Sequence, residues 1–244
     1  TNMISINYNG ASGAAAYNLA NTNVNLQRSL QRLSSGSRIN SSFDDAGGLA
    51  VSMKMSASIR RTEATLANVN NSVAFLQTQD GVLKNADKVL NRMSELAMLA
   101  TDVTKSGDDL ALYNTELSQL KGQLNLMLSE QFNGIALFSA GTTATADGEA
   151  FDADSTLTVI TSHDGDQSIG ITQVDLNQVV FDITDTNSAN NMDITSTTGA
   201  QDAVDYIQAA IQDLATLRAN NGAEQSRLTF AADMLSINKI NLEA

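Results

Sequence analysis

Residues 66–100 read LANVNNSVAFLQTQDGVLKNADKVLNRMSELAMLA, and their apolar side chains recur at steps of three, four or seven. This spacing is typical of a heptad seam, in which one face of a helix packs against other helices. The seam residues are Leu66, Val69, Val73, Leu76, Leu83, Leu90, Met93, Ala97 and Ala100. A helix over residues 59–100 would be roughly 60 Å long at 1.5 Å per residue. Because a compact globule rarely needs so long a helix, the stretch predicts a rod-like bundle.

Two other segments carry the same helical pattern. The first follows a break at residues 105–107, where Asp108 and Asp109 provide an N-terminal capping signal; its seam comprises Leu110, Tyr113, Leu117, Leu120, Leu124 and Met127. We predict that it ends at Asn133-Gly134. The second is perturbed at residues 220–222, and its seam comprises Val204, Ile207, Ile211, Leu214, Leu228, Ala231, Leu235, Asn238 and Leu242. Amphipathic rods must bury their stripes against each other, so both ends of the chain are predicted to pack in one antiparallel bundle.

The middle of the chain has a different character. Residues 139–198 are rich in Thr, Asp, Ser, Asn and Gly. Residues 156–161 and 168–172 alternate in polarity around Asp164-Gly165, which predicts a β-hairpin. Residues 179–183 are interpreted as a further strand. The predicted fold is therefore mainly α with a small β part: a long antiparallel coiled-coil helix bundle from both chain ends, plus a middle region that contains a β-hairpin.

The charge of the chain is unevenly distributed. The net charge is −13, and residues 122–217 contain 14 acidic residues and no Lys or Arg. Nucleic acid requires a basic surface, so this distribution argues against a nucleic-acid partner. No window approaches the roughly 18 apolar residues of a membrane helix, and the first residues lack the pattern of a cleaved signal peptide. An acidic middle is typical of a solvated surface.

The sequence offers little for catalysis or metal binding. There is no Cys, and His163 is the only histidine, whereas a zinc site needs several such ligands. Four clustered acids do not have the spacing of a calcium loop: Asp152, Asp154, Asp164 and Asp166. No phosphate-binding loop or HExxH motif is present, so we predict no enzyme activity, no metal and no cofactor. One alternative function remains, a cell-surface module whose β-rich middle binds a glycan or a cation.

A polar stretch precedes the long seam. Residues 31–49 read QRLSSGSRINSSFDDAGGL and show no apolar periodicity. Gly36, Gly47 and Gly48 permit close approach of the backbone. Asp44 and Asp45 lie just before the next helix, where a carboxylate suits the positive end of the helix dipole. From its residues alone, the stretch is interpreted either as a plain interhelix loop capped by Asp or as a functional junction between two helices.

Five stretches, in order, resemble bacterial flagellin. They are residues 31–52 (QRLSSGSRINSSFDDAGGLAVS), 68–83 (NVNNSVAFLQTQDGVL), 90–98 (LNRMSELAM), 131–138 (QFNGIALF) and 222–228 (GAEQSRL). The resemblance implies a structural subunit that polymerises into the flagellar filament for motility. The hook–filament junction protein, which shares the terminal helices, is the related alternative.

The resemblance also implies an organisation of the chain. Residues 3–35 would be the helical segment of the inner tube, and residues 36–58 the polar spoke. Residues 59–138 and 199–244 would form the helical rod, and residues 139–198 the variable exposed region. A further C-terminal helix, paired with residues 18–33, is expected after Leu242, so this chain is interpreted as truncated.

Partners follow from the same resemblance. The subunit is expected to be secreted without a cleaved signal peptide, with an export chaperone and a filament cap, and to form a homopolymer. The junction, with Arg38, Asp44, Asp45 and Gly48, resembles a stretch read by a plant pattern receptor, although Ser42-Phe43 replaces the family's small-then-basic pair. Three residues match positions read by an animal innate receptor: Arg92, Glu95 and Leu96.

Overall fold

A computed structural model describes residues 10–139, 156–176, 179 and 192–243. Its helices are α1 (Gly10–Ser35), α2 (Ala46–Ala100), α3 (Gly107–Met127) and α4 (Thr197–Glu243). Its strands are β1 (Gln131–Phe132), β2 (Ile135–Ala136), β3 (Thr156–Ile160) and β4 (Ser168–Thr172). The chain divides into two compact units, Thr1–Ser58 and Ile59–Ala244.

The second unit contains the apolar core. The three predicted seams converge in it, and fully buried members include Leu76, Leu83 and Leu90 of α2, Leu117 and Leu124 of α3, and Ile207 and Leu228 of α4. Helix α4 runs antiparallel to α2, because Asp80 pairs with Arg218 while Glu63 pairs with Lys239. The predicted fold class, mainly α with a small β part, is confirmed.

The long hairpin forms where the alternating pattern predicts it. β3 and β4 are antiparallel, with Thr156 opposite Thr172 and Ile160 opposite Ser168. Gly165 has φ +85° in the connecting turn, a conformation that glycine adopts without steric cost. The carboxylate of Glu224 on α4 accepts hydrogen bonds from the backbone N–H and the hydroxyl of Thr172. These bonds hold the end of the hairpin against helix α4.

Several predicted boundaries are wrong in detail. Helix α2 begins at Ala46 rather than near Ile59. Helix α4 continues through residues 220–222, where the sequence predicted a perturbed seam but no end of the helix. Helix α3 ends at Met127. Asn133-Gly134 instead forms the tight turn between β1 and β2, with φ values of +51° and +80°, as a type I′ hairpin requires. Of the strand interpreted at residues 179–183, only Val179 is described, and it is helical rather than extended; the other residues fall outside the described part of the chain.

The N-cap of α3 is Ser106, and Asp109, one of the two acids predicted to provide the capping signal, completes the cap. The Ser106 hydroxyl accepts from the Asp109 N–H, and the Asp109 carboxylate accepts from the Ser106 N–H at 3.1 Å. Two orphan donors are thereby satisfied in a capping box. The bonds from Ser106 lower the pKa of Asp109, and those from Thr104 lower the pKa of Asp102.

The depressed pKa of Asp109 leads to a pH prediction for the α2–α3 turn. Its contribution to stability is present above the unfolded pKa of about 3.9 and is lost as the pH falls through the lower, folded pKa. Carboxyl-carbon NMR titration should therefore give a pKa for Asp109 below the ordinary value. In a Ser106→Ala variant that pKa should rise towards the ordinary value. An unchanged titration curve in the variant would show that the hydroxyl is not the cause.

Candidate interaction surfaces

In the first unit, the junction between α1 and α2 is organised by Asp45. The Asp45 carboxylate accepts a hydrogen bond from the Gly48 N–H at 2.8 Å, and its carbonyl accepts from Leu49. Asp45 is therefore the N-cap of α2, as its place before the seam predicted. A Cβ on Gly48 would lie 2.8 Å from Ile39 Cδ1 and closer still to the Asp45 carboxylate, so a larger residue at this position would displace these two side chains.

The rest of the junction folds back on the end of α1. The Asn40 side-chain amide donates to the Gln31 carbonyl at 3.2 Å. The Arg28 guanidinium lies 5.7 Å from the centre of the Phe43 ring, within the range of a cation–π contact. Arg32 lies 3.9 Å from Asp44, whose side chain is only 15% exposed. Phe43, at the departure from the flagellin pattern, thus has a basic partner supplied by the helix. Arg38 is exposed.

The two adjacent glycines provide a matched test of this cap. We expect Gly48→Ala to displace the Asp45 carboxylate, at a cost of about 1 kcal/mol for a lost N-cap. Hydrogen exchange of the amides of residues 48–52 should then quicken by roughly fivefold. Gly47→Ala meets only an ordinary contact at 3.6 Å from Asp45, and it should slow exchange because Ala favours the helix. Equal effects of the two substitutions would contradict the capping role.

In the second unit, Arg92 bridges two helices. It donates to Glu116 of α3 at 2.8 Å and to Glu95, one turn along α2, at 2.9 Å. The side chains of Arg92 and Glu95 are 46% and 64% exposed. The bond to Glu116 is the main cause that raises the pKa of Arg92. Leu96 is 1% exposed and packs in the core. Of the three predicted receptor residues, Arg92 and Glu95 therefore lie on the surface, whereas Leu96 is buried in the core.

The apolar seam of α1 has no cover in the described structure. Five large apolar side chains along the helix are 47–69% exposed: Tyr17, Leu19, Val24, Leu26 and Leu30. A sixth, Leu33, is 82% exposed. A contiguous exposed apolar stripe of this kind is typical of a protein–protein contact. A helix of 26 residues gains most of its stability in proteins from packing such a face.

A buried polar chain, which the sequence did not reveal, links α2 and α4. Gln79 is fully buried; its amide donates to the Leu137 carbonyl at 2.6 Å and its oxygen accepts from Asn221. Gln225 in turn donates to Asn221. Every buried polar side-chain atom of the described residues has a partner. Satisfied chains of this kind fix the register of packed helices. The only sequence signal was the perturbed seam at residues 220–222.

Lys121 holds the segment before α4 on α3. Its ammonium group donates to the Met192 carbonyl, and the Ile194 N–H donates to Asn114. Burial lowers the pKa of Lys121, partly offset by the charge of Asp193. Met192 and Ile194 are buried in the core beside this contact, so the lysine fixes where α4 enters the bundle.

Other predicted chemistry is sparse in the described residues. His163 lies 3.1 Å from Asp164 in the β3–β4 turn, with its side chain 37% exposed. Asp152 and Asp154 fall outside the described residues. Within the described part, no three His, Cys, Asp or Glu residues converge as metal ligands would. None of the described helices is both long and apolar enough to cross a membrane.

Comparison with known proteins identifies the family. The sequence model of one protein family, the bacterial flagellin N-terminal helical region, matches residues 6–143. Flagellin FlaB2 of Treponema pallidum is 32% identical over 244 residues, covering 98% of this chain and 83% of the relative. The flagellar filament 33 kDa core protein of Treponema phagedenis is 30% identical with the same coverage. The chain therefore belongs to the bacterial flagellin family, and it is a structural subunit of the flagellar filament.

A solved structure agrees at the level of the fold. The crystal structure of Bacillus cereus flagellin superposes with a TM-score of 0.56 at 22% identity, covering 69% of this chain and 88% of that one. The helices and the hairpin described above thus share the flagellin architecture. The predicted resemblance, based on five short stretches, is confirmed.

Proposed function

We propose that this chain polymerises with copies of itself through the exposed seam of α1. The observation that supports the proposal is the row of uncovered apolar side chains on a 26-residue helix, in a chain whose second unit already has a closed core. Apolar area of this kind gains roughly 25 cal/mol per Å² when it is buried. The relatives' names, flagellin and filament core protein, favour the filament subunit over the hook–filament junction protein.

The same proposal assigns roles along the chain. Residues 3–35 contribute to an inner tube and residues 36–58 to a spoke; residues 59–138 and 199–244 form the rod, with 139–198 exposed. The end of α1 at Ser35 and the division of the compact units after Ser58 support this assignment. The secreted subunit is exported without a cleaved signal peptide, and it interacts with an export chaperone and a filament cap.

Polymerisation through α1 can be tested with charge placed on its seam. We expect Leu26→Glu with Leu30→Glu to abolish filaments, since carboxylates are costly to bury. Thermal unfolding of the second unit should not change, because both leucines are 55% exposed. Gln27→Glu with Gln31→Glu adds the same charge on the neighbouring polar face and should retain filaments. Electron microscopy of filaments from cells that produce each variant is the measurement. Normal filaments from the leucine pair would disprove the proposal.

Recognition by host receptors is a second proposal, which the match of sequence motifs supports. Arg38, Asp44, Asp45 and Gly48 would face a plant receptor. Arg92 and Glu95 would face an animal receptor, with Leu96 packed beneath them. Reporter cells for each receptor, treated with micromolar chain, should respond. A loss of response in Arg92→Ala but not in Lys84→Ala, another exposed cation of α2, would locate the second surface.

A further inference from the structure

A groove of about 660 Å³ lies in the second unit between the β3–β4 turn and helix α4. The turn forms one wall and the α4 residues 227–238 form the other, and Thr62 of α2 also lines the groove; Thr62 and Leu235 are buried. Sites for small ligands have volumes of roughly 300–1,000 Å³. None of the residues that line the groove belongs to the α1 seam or to the Arg92 surface.

One wall of the groove carries a cation that has no partner among the described residues. Arg227 is exposed, and its side chain has no ion pair or hydrogen bond to any other described residue. The two other cations of α4 are both paired: Arg218 with Asp80 and Lys239 with Glu63. Because it has no partner among the described residues, Arg227 is available to bind an anionic group, although the net charge of the chain is −13. A guanidinium binds a carboxylate in a bidentate manner.

The same wall carries an exposed aromatic ring. Phe230 is 69% exposed and Met234, one turn further along α4, is 65% exposed. The opposite wall presents hydrogen-bonding groups from the turn, among them Asp166 and Gln167, and Asn238 lies beyond Met234. Carboxylate and amide groups both accept hydrogen bonds from hydroxyls, and amides also donate to them. Apolar C–H surface on one side and many hydroxyls around the rim are the features of a sugar ring.

We propose that this groove binds an acidic oligosaccharide, with a carboxylate-bearing pyranose as the recognised unit. The ring packs its C–H face on Phe230, and the carboxylate pairs with Arg227. Asp166, Gln167 and Asn238 bind the hydroxyls. An acidic peptide would satisfy Arg227 and Phe230, but it would leave the three hydroxyl-binding groups largely unused. The proposal goes beyond filament formation, because it needs only the second unit.

The test is a titration of the purified chain with digalacturonate and, in parallel, with its methyl ester. NMR shifts should saturate with a Kd of about 1 mM or below for the acid. The ester, which lacks the charge, should bind at least tenfold more weakly. Arg227→Gln and Phe230→Ala should each weaken binding of the acid at least tenfold. Two matched controls should bind as the parent chain does: Lys84→Gln removes another exposed cation and Phe43→Ala another exposed ring.

Several outcomes would overturn the proposal. The first is that the NMR shifts do not saturate at a digalacturonate concentration 10-fold above the expected Kd. The others are equal affinities for the acid and the ester, and equal losses of affinity in the groove variants and the control variants. Preference for an acidic peptide over the sugar would replace it with a peptide site. Circular dichroism of each variant shows whether it is folded. Filament formation, scored separately on the same variants, distinguishes failure of this proposal from failure of the polymerisation proposal.

Discussion

Replacement of Leu117 by Ala is expected to destabilise the second unit by about 3–4 kcal/mol. Leu117 is fully buried in the centre of α3 and belongs to the continuous core of α2, α3 and α4. The substitution removes the favourable free energy of burying the leucine side chain. It also leaves a cavity, which the packed helices can close only in part. Urea unfolding followed by circular dichroism measures the difference between variant and parent.

Leu112 provides the matched control for this prediction. It lies on the same helix, less than two turns away, but is 70% exposed. Leu112→Ala should change the free energy of unfolding by no more than about 0.5 kcal/mol, as surface substitutions usually do. Similar losses in the two variants would mean that helix α3 does not pack on the face described here.

The second large effect concerns the buried amide chain. Gln79→Leu removes the donor to the Leu137 carbonyl and the acceptor for Asn221, so two buried polar groups lose their partners. Because each orphaned group costs about 1–3 kcal/mol, we expect a loss of roughly 2–4 kcal/mol. Asn221→Leu should be similarly costly, since it orphans the Gln79 oxygen and leaves Gln225 with a 3.4 Å contact to Leu76.

The double variant separates polar pairing from simple loss of packing. With both Gln79 and Asn221 replaced by Leu, the orphaned partners are largely removed together. Replacing both partners by apolar groups of similar shape can be nearly neutral. The double variant should therefore lose at least 1 kcal/mol less than the sum of the single losses. Additive losses in urea unfolding would contradict the assignment of a coupled network.

The seams were predictable because helical periodicity is a local property. Leu76, Leu83 and Leu117 could be placed in a core from their spacing alone, and the β3–β4 hairpin from alternation around Asp164-Gly165. The buried position of Asn221 could not, because its partner Gln79 lies 142 residues away in the sequence. Local polarity at residues 220–222 indicated only an interruption.

Helix boundaries were harder to predict, for a different physical reason. The predicted helix over residues 59–100 followed the apolar seam, whose first member is Leu66, and it missed the start of α2 at Ala46. Gly47 and Gly48 disfavour a helix there by propensity. The Asp45 cap offsets that penalty at the observed start. At the other end of the α2–α3 turn, Ser106 and Asp109 cap each other reciprocally, and the acids alone did not identify Ser106. The candidate contact residues could be predicted from sequence motifs, but the burial of Leu96 could be seen only in the structure.

The polar contacts between α2 and α4 also affect the order of folding. Arg218 reaches Asp80 across 138 residues, and Gln225 reaches Leu76 across 149. Contacts so distant in sequence form slowly, because the intervening chain must be closed into a loop first. Before α4 packs, helices α2 and α3 can form only part of the apolar core. A chain delivered from its N-terminus therefore stays without the closed core of the second unit until α4 is available.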